Sequence, residues 1–247
     1  MRSRELPYSP GNHIAFYRRK VAGKRGGSVS KFVVDPMADG TDFLSAPLAD
    51  ARLYKRSQPV RTRLRDKNLI GVLLKKIRAG DRHLIMRDPR FRAAPCSIHL
   101  TSPDFGDWAM MPKRFTQEGE NLSPPLHWEN LPDGVAELAL VVQDPDVPLP
   151  DPVVHLIAYG LDPARDIAAG ALNTGGDRAL GKGSFGRVGY AGPRPIRSHG
   201  RHRYVFQLFA LDAPLGLTVT PDLKALATAM DGHVVARGEL TGWYERN

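Results

Sequence analysis

The chain has 247 residues, 42% apolar and 25% charged, the composition of a globular protein with room for one large domain or a smaller domain plus an appendage. No apolar run approaches the roughly 18 residues of a membrane-spanning helix, and the opening MRSRELPYSPG lacks the apolar centre of a secretory leader. A single cysteine, Cys96, excludes an internal disulfide and suits a reducing compartment, so a cytoplasmic location is expected.

The net charge of +9 is unevenly distributed. Residues 1–95 carry 22 Lys and Arg against 8 Asp and Glu, a balance of +14, whereas residues 96–247 carry 13 against 18, a balance of −5. Residues 1–66 show only apolar fragments between clusters such as Arg18-Arg19-Lys20, and are expected to form a basic, disordered arm. The competing reading is an arm that touches nucleic acid or acidic membrane. It lacks any nucleic-acid motif and interleaved aromatics, so nucleic acid is not the expected partner.

From Asn68 the pattern changes. Asn68 can cap a helix in which Leu69, Ile70, Leu73, Leu74 and Ile77 recur at helical spacing, with Lys75, Lys76 and Arg78 in the last turns and Gly80 closing it. This apolar face is expected to pack on the chain's own domain rather than on a membrane, which makes residues 67–95 a short amphipathic helix and connector. Strand signals then multiply: Ser97–Thr101, Leu122–Trp128 (bent at Pro124-Pro125), the buried run Leu138–Val142, Val153–Tyr159 and Tyr204–Leu211. A late helix starts at Thr220-Pro221-Asp222 and stops at Asp231-Gly232, before a last strand from His233 to about Tyr244. The expected fold over residues 96–247 is mainly β: a two-sheet β-sandwich with one late C-terminal α-helix.

Two segments about fifty residues apart carry the chemistry. In Asp144-Pro145-Asp146-Val147-Pro148, followed by His155, prolines stiffen a turn bearing two carboxylates. In Gly192-Pro193-Arg194-Pro195 to His202-Arg203-Tyr204, a Gly-Pro turn precedes a strand. His202 and Tyr204 share one face of that strand, and Arg203 takes the other. A turn with free amides, imidazoles and a phenol can cradle an anion, although each alone is more often structural. Gly181–Gly186 matches G-x-G-x-x-G, but glycines and prolines follow where a dinucleotide site needs a helix. Ser184 lacks the G-x-S-x-G setting of a nucleophile, and the eight histidines show no metal-ligand spacing.

Together with Gly119, Ser123-Pro124-Pro125-Leu126, Trp128 and Gly189-Tyr190-Ala191, these segments resemble the phosphatidylethanolamine-binding protein family in its bacterial, Raf kinase inhibitor-like branch, over almost all of residues 96–247. The resemblance implies a β-sandwich with a small cavity at one end. Its ligand-binding residues would be Asp144, Asp146, Pro148, His155, Gly192, Pro193, His202 and Tyr204. Arg194 either adds a cation or points to solvent; Leu156 and Ile196 depart from the family pattern. The implied function is non-enzymatic binding of a phosphate-like anion or phospholipid head group, with regulation of a partner such as a kinase or protease, and without cofactor or metal. The oligomeric state stays open, a homodimer included. The rival readings are a hydrolase using the His/Asp pocket and the basic-arm binder above.

Overall fold

The computed structural model describes residues 18–22, 28–32, 68–174 and 179–247. The chain divides into two compact units, Met1–Pro59 and Val60–Asn247. In the first, strands β1 (Arg18–Ala22) and β2 (Ser28–Phe32) pair antiparallel. The rest of the expected arm lies outside the described residues.

The second unit is built on a six-stranded sheet. Its strands are β4 (Ala109–Met110), β6 (Glu137–Asp144), β7 (Val153–Leu161), β8 (Ala179–Leu180), β9 (His202–Leu211) and β10 (Val234–Tyr244), in the order β4-β10-β9-β6-β7-β8. All neighbours are antiparallel except β4 and β10. A separate two-stranded sheet pairs β3 (His99–Thr101) with β5 (His127–Glu129).

Alternation along the central strands separates two cores. Leu138, Leu140 and Val142 of β6 join Leu156 of β7 and Tyr204, Phe206 and Leu208 of β9 on one face, under Leu100 and Trp128 of the small sheet. Ala139, Val141, Ile157, Phe209 and Leu211 face the other way, under Ile85, Met86 and Phe91 and under Leu226 and Ala227 of helix α2 (Leu223–Ala229). Covering both faces explains why these strands are continuous apolar runs. Each buried Leu or Phe contributes about 1.5–3 kcal/mol.

Residues 84–94, expected as a connector, form part of the second cover. Gln143 and Gln207, both buried, accept the Ile85 and Met86 amides at 2.8 and 2.9 Å. Arg237 donates to the Met86, Arg92 and Ala94 carbonyls. Phe91 then meets Phe209 edge-on at 5.6 Å. The sequence shows these apolar residues, but only the sheet supplies the amide pair and guanidinium that hold them.

Helix α1 (Leu69–Leu74) is capped by Asn68, whose side chain accepts the Ile70 amide at 3.0 Å. It ends well before Gly80, and the expected packing does not occur: Leu69, Ile70 and Leu73 are 62–80% exposed. Gly71 faces inward instead, so close to the Arg197 carbonyl that a Cβ would overlap it. The segment therefore docks by backbone approach and hydrogen bonds, not by an apolar stripe. The late helix starts where expected, and Asp222 caps it by accepting the Ala225 amide at 2.8 Å.

Candidate functional site

The even-numbered residues of β6 and β9 project to the first face, so Asp144, His202 and Tyr204 meet at one end of the sheet. His155 would by simple alternation fall on the opposite face with Ile157 and Tyr159. Between β6 and β7 the register shifts: Val142 pairs with Leu156, whereas Gln143 pairs with Val154. His155 is the residue left over. The bulge moves Val154 to the second-face core and turns His155 against Tyr204, ring centroids 5.1 Å apart. A cavity of about 410 Å³ opens there, lined by Asp144, Pro148, His155, Arg194, His202 and Tyr204 among others.

The hydrogen bonds define what the cavity presents. Asp144 accepts the Asp146 amide on Oδ1 and His202 Nδ1 on Oδ2, both at 2.8 Å. His155 Nδ1 donates to the Ala191 carbonyl at 2.5 Å. Burial pulls the His155 pKa below its ordinary value, against the opposing pull of Asp144 and that carbonyl. The ring is therefore neutral, and Nε2 carries a lone pair. Burial, helped by the Asp144 charge and opposed by the nearby Arg194 backbone, holds the Tyr204 pKa well above its ordinary value, so the phenol keeps its proton. Both His155 Nε2 and the Tyr204 hydroxyl are buried without a protein hydrogen-bond partner. Leaving such groups unpaired costs about 1–3 kcal/mol each, a cost a ligand can recover.

Several residues read from sequence do other work. Asp146 does not line the cavity; its carboxylate is gripped by Arg203, Nε at 2.8 Å and Nη2 at 2.9 Å, and by Arg78 at 3.0 Å. Burial pushes its pKa up, but the Arg203 hydrogen bonds and the two guanidinium charges outweigh that and hold it low. The Gly192 amide is not open to an anion, because it donates to Asn121 Oδ1 at 2.8 Å, and Pro193 has no N–H. Gly192 is needed for close approach: a Cβ there would overlap the Phe115 carbonyl. Pro148 lines the cavity, and exposed Arg194 stands at its rim with Arg187. Ile196 also lines it.

Sequence reasoning missed His199, which is fully buried with Nδ1 2.7 Å from His202 Nε2. The i,i+3 spacing of two histidines around Gly200 was the available signal. It also missed Phe185, exposed at the cavity mouth with a backbone φ of 62°. Such a conformation is strained for an aromatic residue. Ser184 is a support: its hydroxyl accepts the Val154 amide at 2.9 Å. Among the described residues no three His, Cys, Asp or Glu side chains are grouped to hold a metal ion, and no helix is long and apolar enough to cross a membrane.

The match to known proteins follows the same strands. The family model described as phosphatidylethanolamine-binding protein matches residues 101–245, more than half the chain and every residue that lines the cavity. The chain belongs to the phosphatidylethanolamine-binding protein family. A UPF0098 protein of Pyrococcus horikoshii is 42% identical over 147 residues, 58% of this chain and 74% of the relative. A protein of Mycobacterium tuberculosis named as a lipoprotein, LppC, is 39% identical over 155 residues, 60% of this chain and 76% of that protein. The crystal structure of a phosphatidylethanolamine-binding protein homolog from Chlamydia trachomatis is similar with a TM-score of 0.57 and 34% identity, covering 62% of this chain and 99% of the other. Escherichia coli YbcL, at 22% identity and a TM-score of 0.56, shares the fold over 61% of this chain and 99% of its own.

Proposed function

We propose that the cavity binds a phosphate-like anion or a phosphorylated head group and performs no chemistry on it. The carrying observation is that two residues lining one cavity, His155 and Tyr204, each keep a buried polar atom, Nε2 and the hydroxyl, without a protein partner. Tyr204 O–H donates to an anionic oxygen. His155 Nε2 accepts while neutral, so it contacts the anion only with one more proton, either on the ring or on a ligand O–H. Arg187 and Arg194 at the rim draw anions in. Asp144 holds His202 and disfavours a second negative charge nearby, which restricts the ligand to the His155–Tyr204 side.

Binding without hydrolysis is favoured because the Asp144–His202 pair, which could have made an oriented base, spends its remaining nitrogen on His199. In this reading the domain is a sandwich with its pocket at one end, ligand occupancy changes the surface offered to a protein partner such as a kinase or protease, and the location is cytoplasmic, which fractionation checks. The test is calorimetric titration of the full chain with inorganic phosphate and with phosphoethanolamine, followed by assay for released phosphate. Saturable 1:1 binding without release is expected. No heat with either probe, or turnover of the ester, would overturn the reading.

A further inference from the structure

Residues 68–80 precede the part of the chain matched by the family and run as a strap along the pocket wall. The Ala79 and Gly80 amides donate to the Val147 and Pro145 carbonyls at 2.9 and 2.8 Å, and Arg78 binds Asp146. The strap thus splints the turn whose next residues, Val147 and Pro148, line the cavity. At its start the Asn68 amide donates to Ser198 Oγ at 3.1 Å. Between these anchors the Leu74 carbonyl, at the end of α1, lies 2.8 Å from His199 Nε2.

A continuous chain of contacts therefore joins the strap to the pocket. It runs from the Leu74 carbonyl to His199, from His199 Nδ1 to His202 Nε2 at 2.7 Å, and from His202 Nδ1 to Asp144 Oδ2 at 2.8 Å. Both ends of this chain are acceptors, so each needs an N–H, and the contact between the rings needs a third. Two neutral imidazoles supply only two. We infer that His199 and His202 share one excess proton, and that this proton latches residues 68–80 to Asp144, so that its loss frees the strap from the pocket wall.

The surrounding charges agree on where the proton sits. Asp144 is the counter-charge beside His202. His199 faces Arg78 from the strap, and Lys75 lies beside Gly200; burial, helped by the His202 and Arg78 charges, pulls His199 below its ordinary pKa against the opposing hydrogen bonds to the Leu74 and Ile77 backbone. Asp146 is already held by Arg78 and Arg203, and on the pocket side stand His155, neutral, and the protonated Tyr204. The contact with the Asp144 carboxylate makes that end the seat of the shared proton, and His199 is the positioning residue that passes its effect to the helix. When the pair loses a proton, the carboxylate, as the stronger acceptor, keeps its N–H. Facing lone pairs at 2.7 Å would repel, so the second hydrogen stays between the rings. The Leu74 carbonyl is left facing an unprotonated nitrogen, and that is the contact that opens.

The inference stands whatever ligand the pocket takes, and its test uses none. In the full chain, ring-nitrogen NMR should count three N–H protons on His199 and His202 at pH 5 and two after titration below pH 10. Amide-exchange protection factors at Ala79 and Gly80 should fall at least about tenfold over the same step, while those of β9 hold. His199→Gln, which cannot titrate, should remove that step. Two ring protons at pH 5, a third that survives to pH 10, or strap protection indifferent to its loss would overturn the inference, and the wild-type measurements decide it even if the variant fails to fold.

Discussion

His155 and Tyr204 meet edge to face, their rings inclined at 75° with centroids 5.1 Å apart; both line the cavity, and each carries a buried, unpartnered polar atom. One strand parity and one bulge produce the pair: Tyr204 follows the alternation of β9, and His155 breaks that of β7. The proposed ligand contact depends on both atoms, and they can be removed separately.

Tyr204→Phe deletes only the hydroxyl. Because that hydroxyl has no protein partner, denaturant unfolding should show stability within about 1 kcal/mol of wild type. Affinity for phosphoethanolamine, read by calorimetry, should fall roughly tenfold with the lost donor. A large loss of stability with unchanged affinity would mean that the hydroxyl serves the fold.

Anion binding should take up close to one proton. The free His155 pKa is depressed by burial, and an anion beside Nε2 raises it, so affinity is greatest at low pH and weakens as pH rises through the bound-state value. Sulfate, which does not titrate in this range, isolates the effect. Titrations in buffers of different ionisation enthalpy should report the proton uptake, and His155→Leu should abolish it.

Asp146→Ala should destabilise the domain by about 1.5–3 kcal/mol, because Arg203 and Arg78 lose their shared carboxylate while Arg203 keeps Asp81. The folded pKa of Asp146 is lowered. Its contribution is therefore complete above the ordinary carboxylate range and is lost as pH falls through the folded value. Urea midpoints of wild type should drop on acidification, and those of the variant should drop less.

A chain starting at residue 60 should keep the thermal midpoint of the full chain, since the second compact unit begins there. A chain starting at Cys96 should not. It lacks Ile85, Met86 and Phe91, and exposes Ala139, Val141 and Phe209. Phe91→Ala alone should cost about 3–5 kcal/mol. Calorimetric scans of the three proteins make the comparison.

What the sequence determined by itself is what depends on near neighbours. Apolar runs marked the central strands, Asn68 and Asp222 marked two helix starts, and the two-residue spacing of His202 and Tyr204 put them on one face. The Asp-Pro and Gly-Pro segments carried the family resemblance, which the match over residues 101–245 establishes. Tertiary structure decided what depends on partners far along the chain. Asp144 and Asp146 look equivalent in sequence, yet one binds a histidine at the cavity and the other neutralises two arginines. The Gly192 amide looks free until Asn121, 71 residues away, takes it. His155 reaches the cavity only because two strands pair out of register, and the apolar side of α1 stays exposed because backbone contacts hold the segment first. Local spacing sets the direction of a side chain; which group it meets is set by elements that arrive from elsewhere in the fold.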